Sequence, residues 1–203
     1  LYNLAFIAIG TICALALALG MNEIKERFFA KYFQGVFLLP NLISMVVISY
    51  VAFAFLNTDT GFINRTVLPT LGLSETNYYT RAQDWPIILL IVYLWKNTGY
   101  ASIIYLASMS GIDPTLYEVA RIDGANKWDQ IRLITLPLLR PTIVILTMLA
   151  VGRIMFSDFG LFYQVTMNSG ALYSTTQTID TYVYRGLMQL GNIGMSSAAG
   201  VYQ

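Results

Sequence analysis

The chain has 203 residues, 56% hydrophobic and 11% charged, with a formal net charge of +1 and a mean hydropathy of +0.59. Soluble domains carry about 25% charged residues, and a single core of this size cannot hide so much apolar surface, so lipid is the expected solvent. With no histidine and one cysteine (Cys13), disulfides and metal sites that need His or several Cys are excluded, and a thiol nucleophile would lack its usual base. The net charge argues neither for nor against a nucleic-acid partner.

A membrane helix needs about 20 mostly apolar residues. The first such run is Tyr2 to Met21. No basic segment precedes it and no small-residue cleavage site follows it, so it reads as a span and not as a signal peptide. Because the chain opens at Leu1 and stops at Gln203, each within or beside an apolar run, it reads as a piece lacking both ends. Span two runs from Phe33 to Leu56. The loop from Asn57 to Trp85 is rich in turn formers, and Phe62 to Leu71 is expected as a short interfacial helix. Span three is Pro86 to Met109 and span four is Pro141 to Val165. The loop Thr166 to Arg185 carries a polar stretch, Ser174 to Thr178. A fifth span opens near Asn192 with Gly194, Ser196, Ser197, Ala198, Ala199 and Gly200, small residues that let helices approach in lipid. The expected fold is all-α: a polytopic transmembrane helix bundle, four full spans plus the start of a fifth, as one domain over residues 1–203.

Basic residues set the orientation. Lys25, Arg27 and Lys31 follow span one; Arg121, Lys127, Arg132 and Arg140 follow span three. The other two loops hold Arg65, Arg81 and Arg185. Seven against three places the first and third loops in the cytoplasm.

The third loop, residues 112–140, is polar and strongly patterned. Asp113-Pro114 is a helix start, a capping side chain followed by proline at the first helical position. Leu116, Val119, Ala120 and Asp123 recur on one face. Gly124 breaks the helix. Asn126 with Asp129 forms a second start, followed by Trp128, Ile131 and Arg132. Pro137 is expected to end that second helix, and Pro141 to open span four. The text Glu118-Val119-Ala120, then Gly124, then Ile134-Thr135-Leu136-Pro137 resembles the EAA loop of permeases of binding-protein-dependent ABC importers, at matching spacing. Val119 stands where Ala is usual. The segment "DPTLYEVARIDGANKWDQIRLITLPLLRPT" resembles the sugar branch, near the maltose and glycerol-phosphate permeases. "SDFGLFYQVTMNSGALYSTTQTIDTYVYRGL" is similar to permeases for complex oligo- and polysaccharides.

This resemblance implies a type I ABC importer permease in a bacterial cytoplasmic (inner) membrane, importing a sugar, in particular an oligosaccharide, by alternating access. It implies a second permease subunit (a different chain in the sugar branch), two ATP-binding subunits, a soluble or lipid-anchored substrate-binding protein, the bilayer, and no nucleic acid. ATP and Mg would sit on the ATPase, and this chain would bind no cofactor and catalyse nothing; it has no G-x-x-x-x-G-K-[ST] loop. In the family the short helix enters a cleft on the ATPase. By resemblance Glu118 makes the polar contact, Ala120 keeps the helix thin, Gly124 permits the bend, Arg121 and Asp123 are rim contacts, and Leu136 and Pro137 close the motif.

Charges inside spans default to functional hypotheses. Lys96, Arg153 and Asp158 fall within spans three and four. Tyr93, Lys96, Asn97 and Tyr100 share one helical face, aromatic and polar as a sugar site should be. By position in the maltose-type permeases these four line the cavity, with Arg153 and Ser157 opposite. Two cations there favour an anionic ligand such as a uronate-bearing oligosaccharide. The plainer reading is that Lys96 or Arg153 pairs with Asp158 to hold the bundle. An ion-coupled secondary transporter, the alternative function, needs intramembrane carboxylates or broken helices for its ion, and Asp158 alone offers little. An intramembrane enzyme lacks the residues for its chemistry.

Overall fold

The computed structural model describes residues 1–24 and 26–202. Lys25, counted above among the cytoplasmic basic residues, lies outside them, and so does the side chain of Arg27.

Among the described residues the elements are helical throughout. In chain order they are α1 (Tyr2–Asn22), α2 (Arg27–Leu42), α3 (Met45–Leu56), α4 (Leu68–Thr70), α5 (Trp85–Met109), α6 (Pro114–Ile122), α7 (Lys127–Gln130), α8 (Leu136–Val151), α9 (Tyr173–Thr176), α10 (Ile179–Met188) and α11 (Ile193–Tyr202). Three described stretches are long and apolar enough to cross a membrane: Tyr2–Asn22, Ala82–Met109 and Lys127–Val151. A fourth is added if α2 and α3 count as one broken span. Only 22%, 17% and 11% of the most apolar window of each is buried, so the apolar side chains point outward, as they do against lipid or a partner helix.

Four expectations change. Span two is not one helix: α2 and α3 are separated at Ile43–Ser44. Pro40, inside α2, removes an N–H from the ladder, and Ser44 starts α3 afresh, its Oγ accepting from the Val47 N–H at 3.4 Å. Span four does not run to Val165 as one helix. α8 ends at Val151, and a turn and extended chain follow before a π-helical turn, Gly160–Val165. Arg153 and Asp158 therefore lie in this irregular stretch and not inside a helical span.

Pro137 does not end a helix either. α7 continues through a π-helical turn, Ile131–Thr135, into α8, giving one 25-residue stretch, Lys127–Val151. In the wide turn Leu136 N–H bonds to the Ile131 carbonyl, five residues back. Proline costs a helix its own N–H and a clash with the carbonyl four residues earlier, and a widened turn placed just before Pro137 relieves the strain. Finally, Thr166 to Arg185 is largely helical, with α9 and the start of α10 inside it. The short helix expected at Phe62 to Leu71 is present, as a π-turn Ile63–Val67 running into α4.

The chain packs as two units. The first comprises Ala5–Asn41 and Trp95–Arg153. Its core joins α1 (Ala14, Ala18), α5 (Tyr105, Met109) and α8 (Leu139), with Leu15, Leu19 and Ile143 against it. Small residues on α1 admit the larger ones, and Ser108 and Thr142 hydroxyls bond across α5 and α8 at 2.8 Å. α2 lies very close to α5: a Cβ on Gly99 would fall 1.8 Å from the Phe37 carbonyl oxygen, so only glycine fits.

The second unit comprises Leu1–Leu4, Leu42–Leu94 and the chain from Ile154 onward. Ile48, Trp85, Leu89, Leu161, Phe162 and Leu172 are fully buried within it. Side chains clip its loops. Asn64 donates to the Asn57 and Thr76 carbonyls, each at 3.0 Å, and accepts from Thr76 N–H at 2.8 Å. Trp85 Nε1 donates to Tyr78 O at 2.8 Å. Arg185, buried, donates to Asn168 Oδ1 at 2.9 Å and lies 4.0 Å from the Tyr173 ring centroid.

Candidate coupling and substrate sites

The loop between α5 and α8 has the organisation its residues dictate. Asp113 caps α6, Oδ1 accepting from Thr115 N–H at 2.9 Å, and Pro114 takes the first helical position. That hydrogen bond, which only the carboxylate can accept well, holds the fully exposed Asp113 below the usual carboxylate range. Gly124 closes α6 at φ +84°, a left-handed conformation that costs other residues about 1–2 kcal/mol. Asn126 and Asp129 then make a reciprocal capping box at 3.0 and 3.1 Å.

Packing sorts the face of α6 differently from the expectation. Leu116, Val119 and Ile122 are 44%, 57% and 86% exposed, whereas Ala120 is half-buried. The apolar ridge is therefore presented to the outside, and Glu118, Arg121 and Asp123 are exposed as well. Trp128 is also exposed beyond the bend. Leu136 is half-buried and Pro137 exposed, in the helix that continues into α8.

The loop is fastened rigidly to its unit. Lys127 Nζ pairs with Glu23 Oε2 at the end of α1 at 2.6 Å. The Tyr117 and Thr135 hydroxyls bond at 3.0 Å, tying α6 to the π-turn. Gln130 Nε2 donates to Ala125 O at 3.2 Å across the bend. A cavity of about 320 Å³ lies between these struts, lined by Glu118, Arg121, Tyr117 and Glu23 among others. Nothing local in the sequence marks Glu23 or Tyr117, whose partners lie 104 and 18 residues away.

On the substrate side, Tyr93, Lys96 and Asn97 are half-buried and Tyr100 is 55% exposed, all on one face of α5. Lys96 is committed: its ammonium donates to the carbonyls of Pro40 and Asn41 at 3.4 and 3.2 Å. Arg153 is exposed in the turn after α8. Ser157 is engaged within its own unit. Its N–H donates to Asp180 Oδ2 at 2.8 Å, and its hydroxyl contacts the same oxygen and Thr178 Oγ1. Asp158 caps the following π-turn, accepting from Leu161 N–H at 3.1 Å.

A family profile described as "binding-protein-dependent transport system inner membrane component" matches residues 7–202. The chain belongs to this family. Membership makes it a membrane permease component and not an enzyme, and the EAA loop is the family's own signature. Among its relatives, the polygalacturonan/rhamnogalacturonan transport system permease protein YteP of Bacillus subtilis (strain 168) is 30% identical over 93% of this chain and 58% of its own length. The lactose transport system permease protein LacF of Rhizobium radiobacter is 31% identical over 84% of this chain and 57% of its own. The chain thus spans somewhat over half the length of these relatives. A solved bacterial ABC transporter "involved in the import of the acidic polysaccharide alginate" superposes with a TM-score of 0.92 at 32% identity, covering 99% of this chain and 69% of that one. The permease fold is therefore shown throughout the chain.

Proposed function

We propose that this permease belongs to an ATP-driven importer of oligosaccharides, acidic ones in particular, in a bacterial cytoplasmic membrane. The observation that carries the coupling half of this reading is α6, a short helix with an exposed apolar ridge and exposed Glu118, joined by the Gly124 bend to α7, which pairs with α1 through Lys127–Glu23 and continues through the π-turn into α8. Apolar ridges on short helices bind by lying in a groove. A partner groove on an ATPase subunit would take Leu116, Val119 and Ile122, with Glu118 supplying the polar contact, Arg121 and Asp123 at the rim, and Ala120 and Gly124 setting thinness and bend. ATP and Mg belong to that partner. Motion delivered to α6 would cross the Gly124 bend, which the Gln130–Ala125 and Tyr117–Thr135 bonds brace, and pass through Leu136 and Pro137 into α8. A second permease chain, two ATPase subunits and a substrate-binding protein would complete the machine; a solved bacterial alginate ABC transporter is "in complex with alginate pentasaccharide-bound periplasmic protein".

The sugar path is assigned to the face of α5 bearing Tyr93, Asn97 and Tyr100, where rings offer stacking and an amide offers hydrogen bonds. Arg153 is the cation best placed by exposure to meet a uronate. The polar groups of Lys96 and Ser157 are engaged as described. The acidic preference rests on the relatives named for polygalacturonan and alginate. The test is uptake by the complete importer carrying Glu118→Ala with Gly124→Val. Loss of uptake and of ATPase co-purification, with the binding protein still loading sugar, is expected; full uptake by this variant would overturn the coupling assignment.

A further inference from the structure

The last turn of any helix leaves carbonyls with no N–H ahead of them, and these carry the negative end of the helix dipole. α2 ends in this way within an apolar stretch that α2 and α3 together make long enough to span a membrane, and within a bilayer such carbonyls need a partner from the protein. Its terminal region offers the Pro40 and Asn41 carbonyls, and the Lys96 ammonium reaches both. The approach is deliberate in the backbone. Lys96 and Gly99 lie three apart on one face of α5, and Gly99 has no Cβ to hold the helix away from Phe37 on α2. A glycine one turn away from the lysine brings the amine within reach.

Membrane transporters with broken helices use such carbonyl ends to coordinate a coupling cation such as Na⁺. Here a side chain occupies that place. We propose that Lys96 is a built-in counter-cation: its ammonium takes the position of a mobile ion at the broken end of α2, fixing the break, so that it acts as a positioning residue and not as a ligand of the transported sugar. The covalent tether keeps the position filled at all times. An importer built this way has no vacancy there for a coupling ion to enter and leave, which fits energy arriving from outside the chain. The transport readout below rests on the proposed importer function; the stability readout does not.

The consequence is specific. Shortening Lys96 leaves a small, carbonyl-lined vacancy that takes a primary ammonium ion. The test uses the complete importer, with its partner subunits, in nanodiscs, and compares Lys96→Arg, Lys96→Met and Lys96→Ala. Expected are a roughly tenfold fall in the maximal uptake rate for Lys96→Met with the KM for sugar within about twofold, and retention of most of the rate by Lys96→Arg. For Lys96→Ala, propylammonium raises the melting temperature by several degrees and the uptake rate several-fold above their values in tetramethylammonium, which has no N–H to donate. Wild type shows no difference between the two ions. A tenfold rise in KM with an unchanged maximal rate overturns the proposal in favour of a sugar ligand. Equal melting temperatures of Lys96→Ala in the two ions overturn it as well. Absence of sugar uptake by wild type would instead remove the importer reading, while the melting comparison still decides the role of Lys96.

Discussion

The coupling loop and the two interrupted spans are built by opposite means. In the loop every change of direction is dictated within four residues: Asp113 caps α6, Gly124 turns it at φ +84°, and Asn126 with Asp129 starts the next helix. In the interrupted spans the backbone is left incomplete locally and is completed from far along the chain. Lys96 supplies the donors for Pro40 and Asn41, and Asp180 accepts from both the N–H and the hydroxyl of Ser157. A cap costs one side chain and can sit in water. A broken helix end in an apolar layer needs a polar group delivered by another element. The first kind suits a segment that must stay rigid while a partner docks; the second suits the path between helices.

The two kinds of construction should fail differently. The largest effect is expected from Gly99→Ala. Its Cβ would meet the Phe37 carbonyl, so α5 must move off α2, costing about 3 kcal/mol and drawing Lys96 away from its carbonyls. A fall in melting temperature of the importer, with lower uptake, checks it. Next is Asp180→Ala, which leaves two half-buried donors on Ser157 without their carboxylate and costs about 2 kcal/mol, read as faster amide exchange over the segment after α8. Gly124→Ala should cost about 1 kcal/mol, because its Cβ meets nothing and only the left-handed backbone is strained. Its effect on coupling should exceed its effect on stability. If it unfolded the importer as severely as Gly99→Ala, the contrast between locally and remotely built regions would not hold.

The smallest effect belongs to Tyr79, in the loop outside the spans. Burial pushes its phenol up to about 12, and its hydroxyl is buried without a hydrogen-bond partner among the described residues. The folded state therefore favours the neutral phenol. That contribution is complete below the ordinary tyrosine value near 10 and is lost as the pH rises toward 12. Wild type should lose stability across that window and Tyr79→Phe should not, with the two differing by less than about 1 kcal/mol at neutral pH.

This contrast also explains what could be read in the sequence. Caps, glycine and proline act on their neighbours, so α6, its bend and the capping box were legible, and long apolar runs gave α1 and α5. The ends of spans two and four were not. Pro40 was in plain view, but a proline in a membrane helix is tolerated or breaking according to its surroundings, and the Pro40 and Asn41 carbonyls at this helix end are met by a residue 56 and 55 positions on. Pro137 misled in the opposite sense, since the π-turn before it let the helix continue. Lys96, Arg153 and Asp158 stood out as charges within apolar runs, but only Lys96 lies in a helical span. Their roles followed from the helix ends nearby, which composition does not reveal.

The most direct measurement is site-specific cross-linking from α6 in the intact importer. Ile122, 86% exposed at the tip of the ridge, is replaced by cysteine and treated with a short bifunctional thiol reagent against single cysteines on the ATPase subunit, with native Cys13, half-buried in α1, as control. The predicted result is a cross-link from position 122 to one groove of the ATPase, absent from Cys13 and changed in yield by ATP. No cross-link from 122 to any part of the ATPase, in an importer that still takes up sugar, would contradict the role assigned to this loop.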